Sequence, residues 1–122
     1  MPDKSYLLQG LRAFECASEG PLLRSERDVV DIIGGALSQR ASLVVIPVAR
    51  LADDFFSLRT RIAGEIIQKF VNYGLRLVIV GDIARHVDAS EALRDFVFET
   101  NRSRQVWFLP DMAELESRLA VG

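Results

Sequence analysis

The most regular pattern of apolar and polar residues lies in the middle of the chain, between residues 55 and 81. Its apolar residues recur at every fourth position, at Leu58, Ile62, Ile66 and Phe70. This spacing predicts a long amphipathic helix with one apolar face. Asn72-Tyr73-Gly74 predicts that the helix ends on a left-handed glycine. The almost continuously apolar segment 75–80 predicts a buried strand directly after it. We therefore expect one helix-and-strand unit around which the other elements are arranged.

Two shorter apolar runs predict further strands of the same sheet. Residues 42–46 are rich in β-branched side chains, and residues 105–109 include two aromatic residues. A strand at 42–46, the long helix and a central strand at 75–80 form a right-handed crossover between parallel neighbours. Capping sequences predict two later helices. The first, at 88–101, has Asp88 as its expected cap and Ser90 as the alternative, and the second, at 111–119, has Asp111.

The N-terminal part of the chain predicts an antiparallel hairpin. Residues 11–16 alternate between the two sides of a strand, and turn residues at 18–21 precede a short apolar segment at 22–24. We expect residues 22–24 to return as the second strand of the hairpin, whereas residues 5–8 are expected to pair only weakly.

A first helix is predicted to begin at Ser25, whose side chain can accept a hydrogen bond from the first turn. Its core face is expected to comprise Val29, Val30, Ile32, Ile33, Ala36 and Leu37. Gly34 and Gly35 follow helical residues, whereas a phosphate-binding glycine loop follows a strand. The two glycines therefore indicate close packing or an early helix end.

These elements predict an α/β fold in which a mostly parallel central sheet carries an N-terminal hairpin and about four helices. With 122 residues, the chain is long enough for one domain over 1–122 and too short for two.

The net charge of −2 argues against binding of nucleic acid through overall basicity, and leaves a local basic patch as an alternative.

Cysteine usage and hydrophobicity bear on where the protein works. Cys16 is the only cysteine, so one chain can form neither a disulfide nor a thiolate metal cluster. The N-terminus lacks the pattern of a signal peptide, and no apolar run approaches the ~20 residues of a membrane helix. We expect a cytoplasmic protein without a membrane segment.

Polar residues follow the predicted parallel strands, at the sheet edge where α/β proteins bind ligands. This predicted rim comprises Asp53, Asp54, Ser57, Arg59, Thr60, Arg61 and Asp82. Its three carboxylates could hold Mg²⁺ or accept a phosphoryl group, and the alternative is that they cap helices and a turn. No metal or cofactor is expected. Ser57 and Thr60 lie near a helix start, where a phosphate is favoured, and they too have capping as the alternative.

Two aromatic residues fall outside the predicted apolar faces. Phe98 lies beside Arg94 and Arg102, and Trp107 lies in what is expected to be an edge strand. Aromatic residues flanked by arginines are typical of interface hot spots. The alternative is that a neighbouring loop or the terminal helix covers them.

His86 is the only histidine, and we expect it to be an exposed residue of a polar loop. No nucleophile lies near it in the sequence, and nothing predicts a contact between His86 and Cys16. The sequence therefore offers no catalytic constellation.

Two segments of the chain are similar to a known protein family. They are FFSLRTRIAGEIIQKFVNYGLRLVIVGD and ALRDFVFETNRSRQVWFLP. They resemble a bacterial family known as domain of unknown function 4180, most specifically in AGEIIQKF, in VGD and in RDF followed by an E-x-N sequence. The resemblance covers most of the chain. It implies an acidic residue where Ser57 stands and a glycine where Arg61 stands, and it supplies no catalytic residues.

The order of the predicted elements also resembles a STAS domain, the fold of anti-sigma-factor antagonists. That resemblance implies phosphorylation of a serine at the start of the second helix, for which Ser57 or Thr60 is the nearest match. We expect a non-enzymatic regulatory module that contacts a protein partner and forms a homodimer. The alternative is a small ligand-binding domain or enzyme that uses the Asp/Arg rim with Mg²⁺ and a phosphate-bearing ligand.

Overall fold

The computed structural model describes residues 3–121, in which five strands form one sheet. The strands are β1 (Lys4–Leu8), β2 (Leu11–Glu15), β3 (Leu43–Pro47), β4 (Arg76–Val80) and β5 (Val106–Leu109). They lie side by side in chain order, β1 pairs antiparallel with β2, and each later pair is parallel. The predicted α/β class with a mostly parallel sheet is confirmed, and β4 lies inside the sheet as expected.

The α-helices of the described chain are α1 (Val30–Ser38), α2 (Ile62–Asn72), α3 (Ala84–Ala89), α4 (Glu91–Asn101) and α5 (Met112–Val121). Their number exceeds the expected four because the segment after β4, predicted to be a loop, forms α3. Short 3-10 turns occupy Glu26–Val29, Val48–Arg50, Asp53–Phe56 and Leu58–Thr60. Within residues 3–121, no helix has both the length and the apolar character needed to cross a membrane.

The two faces of the sheet bury separate cores, because successive residues of a strand point to opposite sides. The larger core lies under α1, α2 and α4 and includes Val44, Leu77 and Phe108 from the strands. The smaller core includes Val45 and Trp107. Residues of α5 cover it, chiefly Met112, Leu115 and Leu119. Packing of the second face therefore depends on one helix of ten residues.

The hairpin prediction was right in type and wrong in its partner strand. β2 pairs with β1, and the two-residue turn consists of Gln9 (φ +50°) and Gly10 (φ +82°). Positive φ at both turn residues suits the twist of a tight hairpin, which explains why the chain returns there. Of the segment 22–24, Leu23 forms a single parallel bridge with Leu51 instead.

The central helix is shorter at its start than predicted. α2 begins at Ile62, and the segment before it consists of two 3-10 turns that meet at Ser57. Arg61 adopts a left-handed conformation with φ of +65°, so a helix cannot pass continuously through it. The prediction of an amphipathic helix from the apolar spacing was right, but the prediction that this helix continues through Arg61 was wrong.

The predicted end of this helix is confirmed. Gly74 has φ of +69°, and its N–H donates to the carbonyl of Val71 at 2.9 Å. The N–H of Leu75 donates to the carbonyl of Phe70 at 3.0 Å. This pair of bonds is a Schellman motif, which satisfies the last carbonyls of α2 and turns the chain into β4.

The first helix also starts later than expected. Ser25 makes no capping hydrogen bond, and α1 begins at Val30 after a 3-10 turn. Val30 and Leu37 are exposed, contrary to the predicted core face. The close-packing interpretation is confirmed at Gly35, where an added Cβ would lie 2.9 Å from the ring of Phe14.

Side-chain caps fix the starts of the last two helices. The hydroxyl of Ser90 accepts from the N–H of Leu93 at 3.1 Å. Asp88 does not cap α4 because it lies within α3, so the alternative cap, Ser90, is the correct one. The carboxylate of Asp111 accepts from the N–H of Glu114 at 2.9 Å, as the capping sequence predicts.

Candidate functional site

The carboxyl ends of the parallel strands carry a shallow depression of about 570 Å³, which we call the carboxyl-edge depression. Its walls come from the segment that follows β3 and from α3 and the start of α4, which follow β4. Its polar lining consists of Asp53, Ser57, Arg59, Arg85, His86 and Ser90. The structure therefore brings three of the seven predicted rim residues together and adds residues of α3 and α4.

The remaining predicted rim residues are engaged or directed elsewhere. The carboxylate of Asp82 accepts from the N–H of Ala84 at 2.9 Å, which confirms the turn-capping alternative. The hydroxyl of Thr60 donates to the carbonyls of Asp54 and Ser57, each at 2.8 Å. Asp54 and Arg61, both exposed, are not part of the depression wall.

The three rim carboxylates consequently do not form a metal site. In residues 3–121, no group of three or more His, Cys, Asp or Glu side chains is placed to hold a metal ion. Asp53 instead pairs with Arg85, with Oδ1 and Nη2 separated by 2.9 Å. Both side chains are largely exposed, so this ion pair contributes little to stability.

His86 is more enclosed than the sequence suggests. It lies in α3, its side chain is 14% exposed, and its ring stacks on Phe56 with centroids 4.1 Å apart. Burial lowers the pKa of His86 first of all, and the charge of Arg85 lowers it further, whereas Asp53 raises it. The expectation of an exposed loop histidine was wrong, because the segment 84–89 is helical and turns the ring onto Phe56.

The described residues form no hydrogen bond with the imidazole of His86. The Nε2 atom of His86 lies 3.9 Å from Asp53 Oδ1, and no described hydroxyl or thiol donates a hydrogen bond to the ring. Cys16 lies buried in the larger core, where burial raises the pKa of its thiol to about 12. The thiol is therefore protonated at neutral pH and does not act as a thiolate nucleophile.

Ser57 is the exposed hydroxyl of the carboxyl-edge depression. It joins the two 3-10 turns in an extended conformation, and its side chain makes no capping bond with the described backbone. The capping interpretation of Ser57 was therefore wrong. Arg59 and Arg85 line the same depression, so its lining includes two arginines besides this hydroxyl.

The two candidate interface aromatics have different environments. Trp107 is 7% exposed in the smaller core under α5, so it is not available as an exposed anchor. This corrects the interface prediction for Trp107, although β5 does form one edge of the sheet. Phe98 is 63% exposed on α4, and the guanidinium of Arg102 lies 5.9 Å from its ring centroid. Arg94 is also exposed and donates to the carbonyl of Val87 at 3.4 Å.

Arg50, in the 3-10 turn that follows β3, is buried. Its Nε donates to the carbonyl of Pro21 at 3.0 Å and its Nη1 to that of Ala17 at 2.9 Å. An added Cβ at Gly20 would lie 3.2 Å from the guanidinium carbon. Arg50 thus holds the loop after β2 against the carboxyl edge, and no local signal in the sequence reveals this.

Asn101 is a second residue whose role the sequence hides. Its Oδ1 accepts from the N–H of Phe108 at 2.7 Å, and its Nδ2 donates to the carbonyl of Phe108 at 3.1 Å. The side chain therefore pairs with the open edge of β5 as a neighbouring strand would. The E-x-N sequence noted above is the one feature that points to it.

The chain belongs to the family described as domain of unknown function (DUF4180), whose model matches residues 8–119. Comparison of this chain with the curated proteins and with the solved structures found no significant match.

Proposed function

We propose that the protein is a non-enzymatic, STAS-like regulatory module that binds another protein, and that phosphorylation of Ser57 switches this contact. The observation that carries the proposal is the exposed hydroxyl of Ser57 in a depression that Arg59 and Arg85 also line. The order of the elements supports the STAS-like assignment. An antiparallel hairpin comes first, helices then alternate with parallel strands, and a helix ends the domain. The proposal places the protein in the cytoplasm.

Charge explains how such a switch would work. With His86 neutral, the charged residues of the carboxyl-edge depression are Arg59, Arg85 and Asp53, which leaves an excess of positive charge. A phosphoserine adds about −1.5 to −2 charges at neutral pH and three strong acceptor oxygens. Phosphate at Ser57 would therefore make the depression negative, and a partner that docks an acidic segment there would be released.

Thr60 is a poorer phosphorylation site than Ser57. Its hydroxyl donates to the carbonyls of Asp54 and Ser57 and accepts from the N–H of Ile62 at 3.3 Å. Phosphorylation would remove the donor and disrupt the turn that precedes α2. Ser57 would lose no capping bond, so its modification would leave the fold intact.

Mapping of phosphopeptides by mass spectrometry tests the choice of site. In protein isolated from cells that make it naturally, we expect phosphate on Ser57 and none on Thr60 in at least one growth phase. Phosphate on Thr60 alone, or on neither residue in every phase, would refute the assignment.

The proposal also includes a homodimer formed through the exposed side of α4. Phe98 is the most exposed aromatic residue of the described chain, and Arg94 and Arg102 flank it. Light scattering is expected to give the mass of a dimer for the unaltered protein and of a monomer for Phe98→Ser. Tyr73→Ser, which removes an aromatic residue 51% exposed at the end of α2, is the matched control and should remain dimeric. A monomeric unaltered protein would eliminate this part of the proposal.

A further inference from the structure

A second depression lies at the opposite edge of the sheet, where the parallel strands begin. It has a volume of about 620 Å³ and is bounded by the starts of β4 and β5, the loop between α4 and β5, and the last turns of α5. Its cationic lining consists of Arg76, Arg102, Arg104 and Arg118, and Trp107 lines it as well. We call it the arginine groove.

Trp107 and backbone carbonyls hold the guanidinium groups of the arginine groove in place. The guanidinium carbons of Arg76 and Arg118 lie 4.7 and 4.3 Å from the centroid of the Trp107 ring. The Nε of Arg76 donates to the carbonyl of Arg104 at 2.8 Å, and Arg118 donates to the carbonyl of Asn101. Each bond uses one of five guanidinium donors, so the other donors of this pair make no hydrogen bond within the described residues.

The positive charge of the groove has little compensation within residues 3–121. Arg102 pairs with Glu99 at 3.6 Å, whereas Arg76, Arg104 and Arg118 have no described carboxylate within 4.0 Å. Glu114 is the acidic residue of the lining. The whole chain has a net charge of −2, so this accumulation of arginines is local and is not a consequence of overall basicity.

The arginines repel one another, as the environment of Arg76 shows. Burial lowers the pKa of Arg76, and the neighbouring charge of Arg104 lowers it further. Four arginines line the groove, whereas Glu114 is the one acidic residue of its described lining and Glu99 pairs with Arg102 alone. Such an excess of cations over carboxylates is the arrangement expected where an external anion supplies the missing charge.

We propose that the arginine groove binds a small anion that carries two or more adjacent phosphate groups. Planar guanidinium groups match the oxygens of a phosphate, and the size of the groove is within the range of small-ligand sites. Guanidinium groups lie over the Trp107 ring, so the ring does not serve as a stacking platform for a nucleobase. Recognition is therefore by charge and phosphate geometry.

Titration calorimetry with inorganic pyrophosphate at low ionic strength tests this proposal on the whole chain. We expect saturable binding, tighter for tripolyphosphate and weaker for orthophosphate. Trp107 is the only tryptophan, so its fluorescence reports on the groove directly and should change with the same midpoint. Arg104→Gln removes an exposed cation without touching the packing of Trp107, and should weaken binding about tenfold or more.

Arg27→Gln is the matched control, because it removes the same charge from an exposed residue remote from the groove in sequence and outside its lining. Its affinity for pyrophosphate should equal that of the unaltered protein. Absence of binding, or an equal loss in Arg27→Gln and Arg104→Gln, would overturn the proposal. Tighter binding of a short single-stranded oligonucleotide than of tripolyphosphate would also overturn it, in favour of nucleic acid.

Discussion

Arg61 occupies a backbone conformation that suits glycine. Its φ of +65° brings the Cβ close to the backbone, which costs roughly 1 kcal/mol for a residue other than glycine. The family resemblance implies glycine here, and the geometry supplies the reason. We predict that Arg61→Gly raises the free energy of unfolding by about 1 kcal/mol, as measured by urea denaturation.

Arg61→Ala is the control for this effect, because it removes the exposed side chain and keeps the Cβ. It should give no increase in stability. If both variants stabilise the protein equally, the side chain and not the backbone conformation of Arg61 is the source of the strain.

His86 should make stability depend on pH in a defined direction. Because its pKa is lowered in the folded state, the unfolded chain binds a proton more readily. The stability that neutral His86 contributes is fully present above the unfolded-state pKa of about 6.5, and it is lost as the pH falls toward the lower folded-state pKa. His86→Phe keeps a ring against Phe56 and removes the titration, so its stability should fall less between about pH 7.5 and about pH 5.5, one unit each side of that pKa.

Unfolding by urea at a series of pH values measures this difference. The groups that face the imidazole, Asp53 and Arg85, remain in both proteins, so their contributions cancel in the comparison. Parallel pH profiles of the unaltered protein and His86→Phe would contradict the role assigned to His86.

Single residues also show what the sequence reveals of this fold and what it conceals. The left-handed conformation of Gly74 was predictable from the sequence, because glycine is the residue that adopts this conformation without strain. Arg61 has the same conformation and no such signal. The end of α2 was therefore predictable from the residue type, and its start was not.

At the scale of elements, Asn101 closes part of the open edge of β5. Its side chain satisfies both backbone groups of Phe108, an otherwise unpaired donor and acceptor beside the core. We predict that Asn101→Ala lowers the free energy of unfolding by about 1–3 kcal/mol, because a backbone donor and a backbone acceptor lose their partners.

Asn72→Ala is the matched control for the edge-strand effect. Asn72 also ends a helix, but its side chain is exposed and bonds only to that of Gln68, at 2.8 Å. Its removal should change stability by less than about 0.5 kcal/mol, as is usual for surface residues. Equal losses in the two variants would show that Asn101 has no special role at the strand edge.

Elements that rest on local pattern were predictable, and those that rest on distant partners were not. Strand β3 is a continuous apolar run and β4 is apolar after Arg76, and the sequence identifies both strands. β1 has exposed or partly exposed residues except at Leu8, so its pattern is weak, and its pairing depends on the turn at Gln9 and Gly10. The start of α4 depends on a choice between Asp88 and Ser90 that only the geometry of α3 decides.

At the scale of the whole molecule, the two candidate sites are independent of each other. The carboxyl-edge depression lies where the parallel strands end, and the arginine groove lies where they begin. The periodicity of apolar residues in the sequence predicts the sheet that lies between the two sites, but it does not predict the sites themselves. Arg76, Arg104 and Arg118 are distant in the chain and converge only because β4, β5 and α5 pack together. A variant in one site should leave the other unchanged.

Capture of a partner by unmodified and phosphorylated protein tests the central claim most directly. Phosphoserine is introduced at Ser57 during synthesis, and at Ser18, an exposed turn residue outside the depression, as the matched control. We predict that a partner retained by the unmodified and Ser18-phosphorylated proteins is lost, or bound at least about tenfold more weakly, when Ser57 carries phosphate. Equal retention by all three forms, or retention of no partner by any of them, would contradict the account.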